Sequence, residues 1–297
     1  MQMFPIGYDE PLFRPPSEGN SLIIQVTLGC SWNKCAFCEM YTSKQFKARK
    51  EADVFADIEE FAPYASQIRK VFLADGDPLV LSTQRLLRML EKLRATFPNL
   101  RRVSTYASPS NLSRKTEQEL KLLKEAGLSL VYVGIESGDS EVLKAIDKGE
   151  TYQTTIGGLN KSKQAGIDSS VMIINGVGGA VLTEQHAINS AKVLNLTQPK
   201  FASTLVLTAY KGLAHYKNRY KGEFTKLDTV ALFKELHLFM TNLELENTIF
   251  RSDHASNSLV LKGVLGKDKQ TFLSQIETAI NDPEAMHIRK NRTGVRF

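Results

Sequence analysis

Cysteine is scarce in this chain of 297 residues: there are three, and all lie between positions 30 and 38. Three cysteines cannot pair off evenly, so a reducing compartment and a metal role fit them better than disulfides do. Long apolar runs are missing as well. No stretch reaches the roughly 18 residues needed to span a bilayer. The N-terminus, MQMFPIGYDEPLFRPPSEGN, lacks the basic-then-apolar pattern of a signal segment. A cytoplasmic location with no membrane partner is the expectation. No internal repeat or low-complexity segment is visible, and no linker is long enough to separate an independent second domain.

What the chain does contain is ordinary for a globular protein: 42% hydrophobic and 24% charged residues, ample for a core. The net charge is +6, with basic residues at Lys44, Lys47, Arg49 and Lys50, from Lys211 to Lys226, and at Arg289, Lys290, Arg292 and Arg296. A surface for RNA or a phosphorylated substrate is one reading. The residues are scattered and no RNA-binding motif accompanies them, so solvated faces are the simpler account.

Hydrophobic periodicity places strands at 21–27, 71–74, 102–106, 128–136, 168–174 and 201–207. Helices are predicted at 53–67, 82–97 with Ser82 as cap, 113–126 closed by Gly127, 140–146, 153–164 and 183–194. Pro63 kinks or ends the first of these. The run LSLVYVGIE, 128–136, is nearly all apolar, as in a strand covered on both faces. Six strand–helix units imply a parallel sheet with right-handed crossovers. From 213 onward the pattern changes: a helix at 227–243, loop and short strand at 248–261, and a last helix at 267–280 ended by Asp282-Pro283. The expected partition is a lead-in at 1–20, a barrel at 21–212 and an extension at 213–297.

The chemistry concentrates in GCSWNKCAFCEMY, residues 29–41, which begins just past the first strand. Cys30, Cys35 and Cys38 can converge on one metal centre, and the two-residue gap between the last pair suits zinc or iron–sulfur sites. A structural zinc would want a fourth ligand, and His254 is available for it. The remaining histidines, His186, His215, His237 and His287, lie in predicted helices or basic loops and read as structural or exposed. The loop resembles the cluster loop of radical S-adenosylmethionine (radical SAM) enzymes, Cys-x₃-Cys-x-aromatic-Cys, with Phe37 at the aromatic position. It departs from that pattern in one respect, since four residues, Ser31 to Lys34, separate the first two cysteines. A second match follows the fourth strand. GIESGDSEVLKAIDKGET, 134–151, is similar to the segment GIESGS…L…KG of the branch that includes methylthiotransferases and cobalamin-dependent methylases.

The resemblance implies an α/β fold with a partial (βα)6 TIM-type barrel and, in this chain, a C-terminal α+β extension. It implies a [4Fe-4S] cluster on Cys30, Cys35 and Cys38 whose open iron takes SAM, reductive cleavage to a 5′-deoxyadenosyl radical, and hydrogen abstraction from a substrate. An external electron donor of flavodoxin or ferredoxin type is implied too. Cofactor contacts are expected from Gly76 and Asp77 in ADGDP, where DGD resembles the family's Gly-Gly-Glu-like segment. Others fall on Glu136, Ser137, Lys148 and Gly176. Substrate contacts are expected from Tyr106, Ser108 and Asn111, and from FRSDHASN, which carries Arg251, Asp253, His254 and Asn257. A small-molecule substrate is favoured over RNA or peptide, since no accessory domain and no cysteines for a second cluster are visible. The alternatives are a zinc-stabilised basic RNA-binding protein and an electron-transfer protein with a closed cluster.

Overall fold

The alternation of strands and helices expected from periodicity is present in the computed structural model, which describes residues 6–282. In chain order the elements are β1 (Leu22–Gln25), β2 (Thr27–Leu28), β3 (Lys47–Ala48), α1 (Glu51–Glu60), β4 (Lys70–Ala74), α2 (Thr83–Thr96) and β5 (Arg102–Tyr106). They continue as α3 (Pro109–Arg114), α4 (Glu117–Glu125), β6 (Leu128–Glu136), α5 (Ser140–Ala145), α6 (Tyr152–Gln164), β7 (Asp168–Asn175), α7 (Gly179–Thr197) and β8 (Phe201–Val206). The last are α8 (Leu213–Arg219), α9 (Thr229–Thr241), β9 (Ile249–Ser252), β10 (Leu261–Val264) and α10 (Lys269–Asn281). Pro283, His287 and the basic tail Arg289, Lys290, Arg292 and Arg296 lie outside the described residues. No described helix is long and apolar enough to cross a membrane.

Two compact units divide the chain. The first gathers residues up to Asn33, Cys38–Val133 and Gly157–Ser169; the second gathers Lys34–Phe37, Gly134–Ile156 and Ser170 onward. The expected boundary at 212/213 therefore falls inside the second unit.

In the first unit β1, β4, β5 and β6 pair in parallel. Val71, Phe72 and Leu73 of β4 are buried, as are Val54 and Ile58 of α1 and Leu86, Met89, Leu90 and Leu93 of α2. Each such side chain contributes about 1.5–3 kcal/mol on leaving water. Ser82 caps α2, accepting from the Arg85 amide. In the second unit β7, β8 and β9 are parallel and β10 turns back antiparallel to β9. An apolar cluster holds Ala36, Val142, Ile146, Ile174, Val177, Tyr216, Tyr220 and Phe224.

Several boundaries differ from expectation. α1 begins at Glu51 rather than 53 and ends before Pro63, with a short 3-10 turn at Ala62–Tyr64. The helix expected over 113–126 is two helices. Thr116 breaks it by forming a capping box with Glu119, which satisfies two amide donors at the start of α4. α7 starts at Gly179 instead of 183, so Gly178 and Gly179 open a helix. α8 is unforeseen, and the late strand region forms two strands.

Candidate cofactor site

In a parallel set of strands the carboxyl ends share one edge, and sites are built there. In the first unit that edge carries the cysteine loop after β1, Asp75-Gly76-Asp77 after β4, and Tyr106 at the end of β5. Gly76 donates its amide to the Gly29 carbonyl at 3.0 Å, and a β-carbon on Gly76 would stand 2.8 Å from Cβ of Cys30. The glycine is required because the backbone lies directly against the cysteine.

Asp75 and Asp77 hold that loop. Asp75 Oδ2 accepts from the Gly29 amide at 3.0 Å and from Lys44 Nζ at 3.0 Å. Lys44 also reaches the Asp9 carboxylate at 3.0 Å. Its side chain is 5% exposed, so this member of the basic cluster is a buried counter-charge and no part of a surface patch. Asp77 Oδ1 accepts from the Ser108 amide at 3.2 Å, while Oδ2 accepts from Ser31 Oγ at 3.1 Å and from the Asn111 side-chain amide. Burial pushes the pKa of both carboxyls up, and these hydrogen bonds oppose it. The aspartates thus brace the cysteine loop and the turn into α3. Tyr106 packs edge-on against Phe72 and Tyr132, with ring centroids 5.0 and 6.2 Å away.

In the second unit the end of β6 carries Glu136, whose backbone is left-handed at φ +65°. Its Oε1 accepts from Lys148 Nζ at 2.9 Å. Its Oε2 is buried with no hydrogen-bond partner among the described residues. A β-carbon on Gly134 would land on Oε1, so the folded-back carboxylate needs glycine there. Burial disfavours the Lys148 ammonium, but Glu136 and Cys35 outweigh it and hold the pKa above the ordinary lysine value. Lys148 Nζ lies 5.8 Å from the centroid of the Phe37 ring, and the Ala36 amide donates to the Ile146 carbonyl at 2.8 Å. The segment Lys34–Phe37 is thereby pinned beside Lys148.

Ser137 is fully buried. Its hydroxyl meets His186 Nδ1 at 2.8 Å and accepts from the Asp139 amide at 3.0 Å. These two bonds pin the strand end. His186 is buried, with Nε2 3.8 Å from Glu235 Oε1. That carboxylate accepts the Gly176 amide at 2.6 Å and the Thr183 hydroxyl at 2.6 Å. Gly176 has φ +80°, and a β-carbon there would meet Leu232 at 2.8 Å, so packing against α9 explains the glycine without any ligand.

The late segment divides. Ser256 Oγ accepts from the Val206 amide at 3.1 Å and Asn257 Nδ2 donates to the Thr204 carbonyl at 2.7 Å, which fastens the loop at the carboxyl end of β8. His254 Nδ1 accepts from the Ser256 amide at 3.1 Å and lies 2.8 Å from its hydroxyl, leaving the ring proton on Nε2. Asp253 pairs with Lys262 at 2.8 Å. Arg251 is exposed in the body of β9, opposite Lys262 of β10, so it is not drawn to the loop that carries His254. Asn257 thus serves as a fastening.

The cysteines are reduced thiols. Among the described residues no group of three or more His, Cys, Asp or Glu stands as a ready-made metal site. The residues nevertheless suit the implied groups in two respects. The thiols are the soft donors that iron–sulfur clusters take. The orphaned Glu136 oxygen beside a buried ammonium is the arrangement that a ligand with both donors and a carboxylate would complete. Sequence reasoning gave Tyr41 and Glu235 no role, read Lys44 as part of a solvated basic cluster, and read His186 as structural or exposed, whereas the structure buries Lys44 and His186 alike. Nothing local marks them, because their partners are distant in the chain.

The model of the Radical SAM superfamily matches residues 24–194. Among curated relatives, the chain is 27% identical over 194 residues to an uncharacterized methyltransferase of Pyrococcus horikoshii, covering 64% of this chain and 40% of that one. It is 24% identical over 248 residues to GTP 3′,8-cyclase of Listeria welshimeri, covering 82% and 68%. The heme chaperone HemW of Bacillus subtilis is 22% identical over 141 residues, 47% of this chain and 37% of that protein. The chain thus spans about two fifths of the length of two of these relatives. Among solved structures, coproporphyrinogen III oxidase (HemN) of Escherichia coli superposes with a TM-score of 0.57 at 17% identity, covering 74% of this chain and 52% of that one. Methylornithine synthase (PylB) gives 0.52 at 14% identity, covering 92% and 75%. These likenesses bear on fold: an α/β protein with a parallel sheet of the partial TIM-barrel kind.

Proposed function

The chain belongs to the radical SAM superfamily and is an enzyme, and from that premise we propose that it cleaves S-adenosylmethionine reductively at a [4Fe-4S] cluster carried by Cys30, Cys35 and Cys38. A bound, reduced cluster would supply one electron to the sulfonium of SAM, whose cleavage would give methionine and a 5′-deoxyadenosyl radical able to take hydrogen from the substrate.

The chain's own residues have narrower tasks. Gly76, Asp75 and Asp77 hold the cysteine loop in place. Glu136 offers Oε2 to a hydroxyl or amino donor of the cofactor, and Lys148 keeps protons for its carboxylate while Glu136 Oε1 fixes its position. Ser137 and Gly176 shape the strand ends through the buried His186 and Glu235. Tyr106 and Ser108 after β5 in the first unit, and His254 after β9 in the second, are each proposed to contact substrate. The substrate is a small molecule in this reading, and the electron arrives from a flavodoxin- or ferredoxin-type donor. Zinc-stabilised RNA binding and closed-cluster electron transfer are not favoured, since the family match embraces the cysteine loop and the Glu136 segment alike.

The observation that supports this reading is the buried Glu136 carboxylate, whose Oε1 pairs with Lys148 while Oε2 has no partner among the described residues, on the segment that the family comparison covers. Anaerobic reconstitution with iron and sulfide is expected to load about four irons per chain. SAM with a strong reductant then yields 5′-deoxyadenosine and methionine, and Cys35→Ala abolishes both products. Cleavage at the parent rate in Cys35→Ala would end this assignment.

A further inference from the structure

Three residues past Cys38 the chain turns Tyr41 inward. The residue is 3% exposed, and its hydroxyl is buried with no hydrogen-bond partner among the described residues. It is firmly held. Its carbonyl accepts from Asn33 Nδ2 at 2.8 Å and from the Lys44 amide at 3.0 Å. Its ring meets Phe13 edge-on at 5.4 Å, and Lys44 Nζ lies 5.9 Å from its centroid.

A buried phenol ordinarily finds a partner. Burial raises the pKa of this one most, and Asp75, Tyr106, Cys30 and Cys38 each raise it further. The hydroxyl is therefore kept protonated among electron-rich groups, two of them cysteine sulfurs of the loop. It can donate, and no acceptor among the described residues takes its proton. Asp75 is engaged through Oδ2 by Gly29 and Lys44, while its buried Oδ1 has no hydrogen-bond partner among the described residues either.

We infer that Tyr41 is a positioning residue for the cluster: its hydroxyl donates a hydrogen bond to a cluster sulfur, either the Cys30 or Cys38 thiolate or a sulfide beside them. This rests on the reading of the cysteine loop as a cluster site. A donor to sulfur stabilises the more negative, reduced cluster and so raises its reduction potential.

Tyr41→Phe removes the hydroxyl and nothing else. In the reconstituted full chain, an EPR-monitored redox titration is expected to show a lower midpoint potential. The reduced fraction at fixed potential should fall roughly three- to tenfold, a shift of up to about 59 mV for one electron. In the iron-free full chain the same substitution should leave the melting temperature unchanged or higher, because an orphaned polar group has been removed. A hydroxyl with a purely structural role gives the opposite pair, a lower melting temperature and an unmoved potential, and that result overturns the inference. Should the Phe variant fail to take up iron, 3-fluorotyrosine at position 41 decides. As a stronger donor it should raise the midpoint, and an unmoved midpoint again overturns the inference. A parent protein that loads no iron at all removes the cluster reading itself and this inference with it, a failure separable from an unmoved midpoint.

Discussion

Gly76 and Gly134 matter for the atom each lacks. The β-carbon of Gly76→Ala would press on Cys30 at 2.8 Å and on the Gly29 carbonyl at 3.0 Å. The substitution is expected to cost about 1–3 kcal/mol and to lower the iron taken up on reconstitution. Urea unfolding and iron analysis check the two halves separately. Gly134→Ala displaces the Glu136 carboxylate from Lys148. Iron content should hold while SAM affinity drops roughly tenfold, ~1.4 kcal/mol. Unaltered affinity in equilibrium dialysis would take Glu136 and Lys148 out of the cofactor site. His254 offers a pH test. Burial lowers its pKa from the ordinary 6.5, with Asp253 working the other way. As pH falls below that value the unfolded chain takes up a proton that the folded ring resists, so stability drops toward acid. His254→Asn should flatten that part of the stability profile between about pH 7 and 5, and a profile identical to the parent's would contradict the burial argument. Gly76, Glu136 and Lys148 stand out in the sequence as candidates because each belongs to a short contiguous motif. Tyr41 and Lys44 were not, since an aromatic and a lysine in a polar loop carry no local sign of which way they face.

Among the elements, α5 shows how one side chain secures a helix to its neighbour. Asp139 Oδ1 accepts from the amides of Glu141 and Val142 at 2.9 and 3.0 Å and from Gln185 Nε2 at 3.0 Å, while Oδ2 accepts from Asn189 Nδ2 at 2.7 Å. Burial raises its pKa, but these bonds prevail and leave it below the usual carboxylate range. Asp139→Ala should cost about 2 kcal/mol, the upper end for a cap, because two bonds to α7 go with it. The difference from the parent, measured in denaturant, should shrink as pH drops below the ordinary aspartate range and the native carboxylate gains its proton. Thr116 teaches the converse lesson. The apolar spacing over 113–126 favours a continuous helix, yet the Thr116–Glu119 capping box starts α4 afresh. Periodicity counts apolar positions and is blind to a polar side chain that takes over backbone donors. The long strand β6 and the helix α2 were legible throughout, since their patterns run without such competition.

At the scale of the molecule the stretch after residue 212 is structural substance, not an appendage. β9 extends the parallel pairing of β8, with Ala202 opposite Phe250. Glu235 of α9 receives the Gly176 amide, and α9 packs on α7. A chain ending at Gly212 would expose the apolar edge of β8 and leave Gly176 and Thr183 without their acceptor. It is expected to be aggregated or unfolded by circular dichroism and gel filtration, and a cooperatively folding 1–212 fragment would show the barrel to be self-sufficient.

The alternation of six strands with helices, the cysteine spacing and the Glu136 segment are properties of neighbours along the chain, so composition and period suffice to read them, and the fold class and superfamily follow. The roles of the individual polar groups depend on partners far apart in sequence. Lys44 with Asp75, Ser31 with Asp77, and Ser137 with His186 are joined only when burial removes water as the competing partner. That is why the bracing bonds of Asp77 and Ser137 show only in the fold, as do the buried oxygens of Glu136 and Tyr41 that have no partner among the described residues.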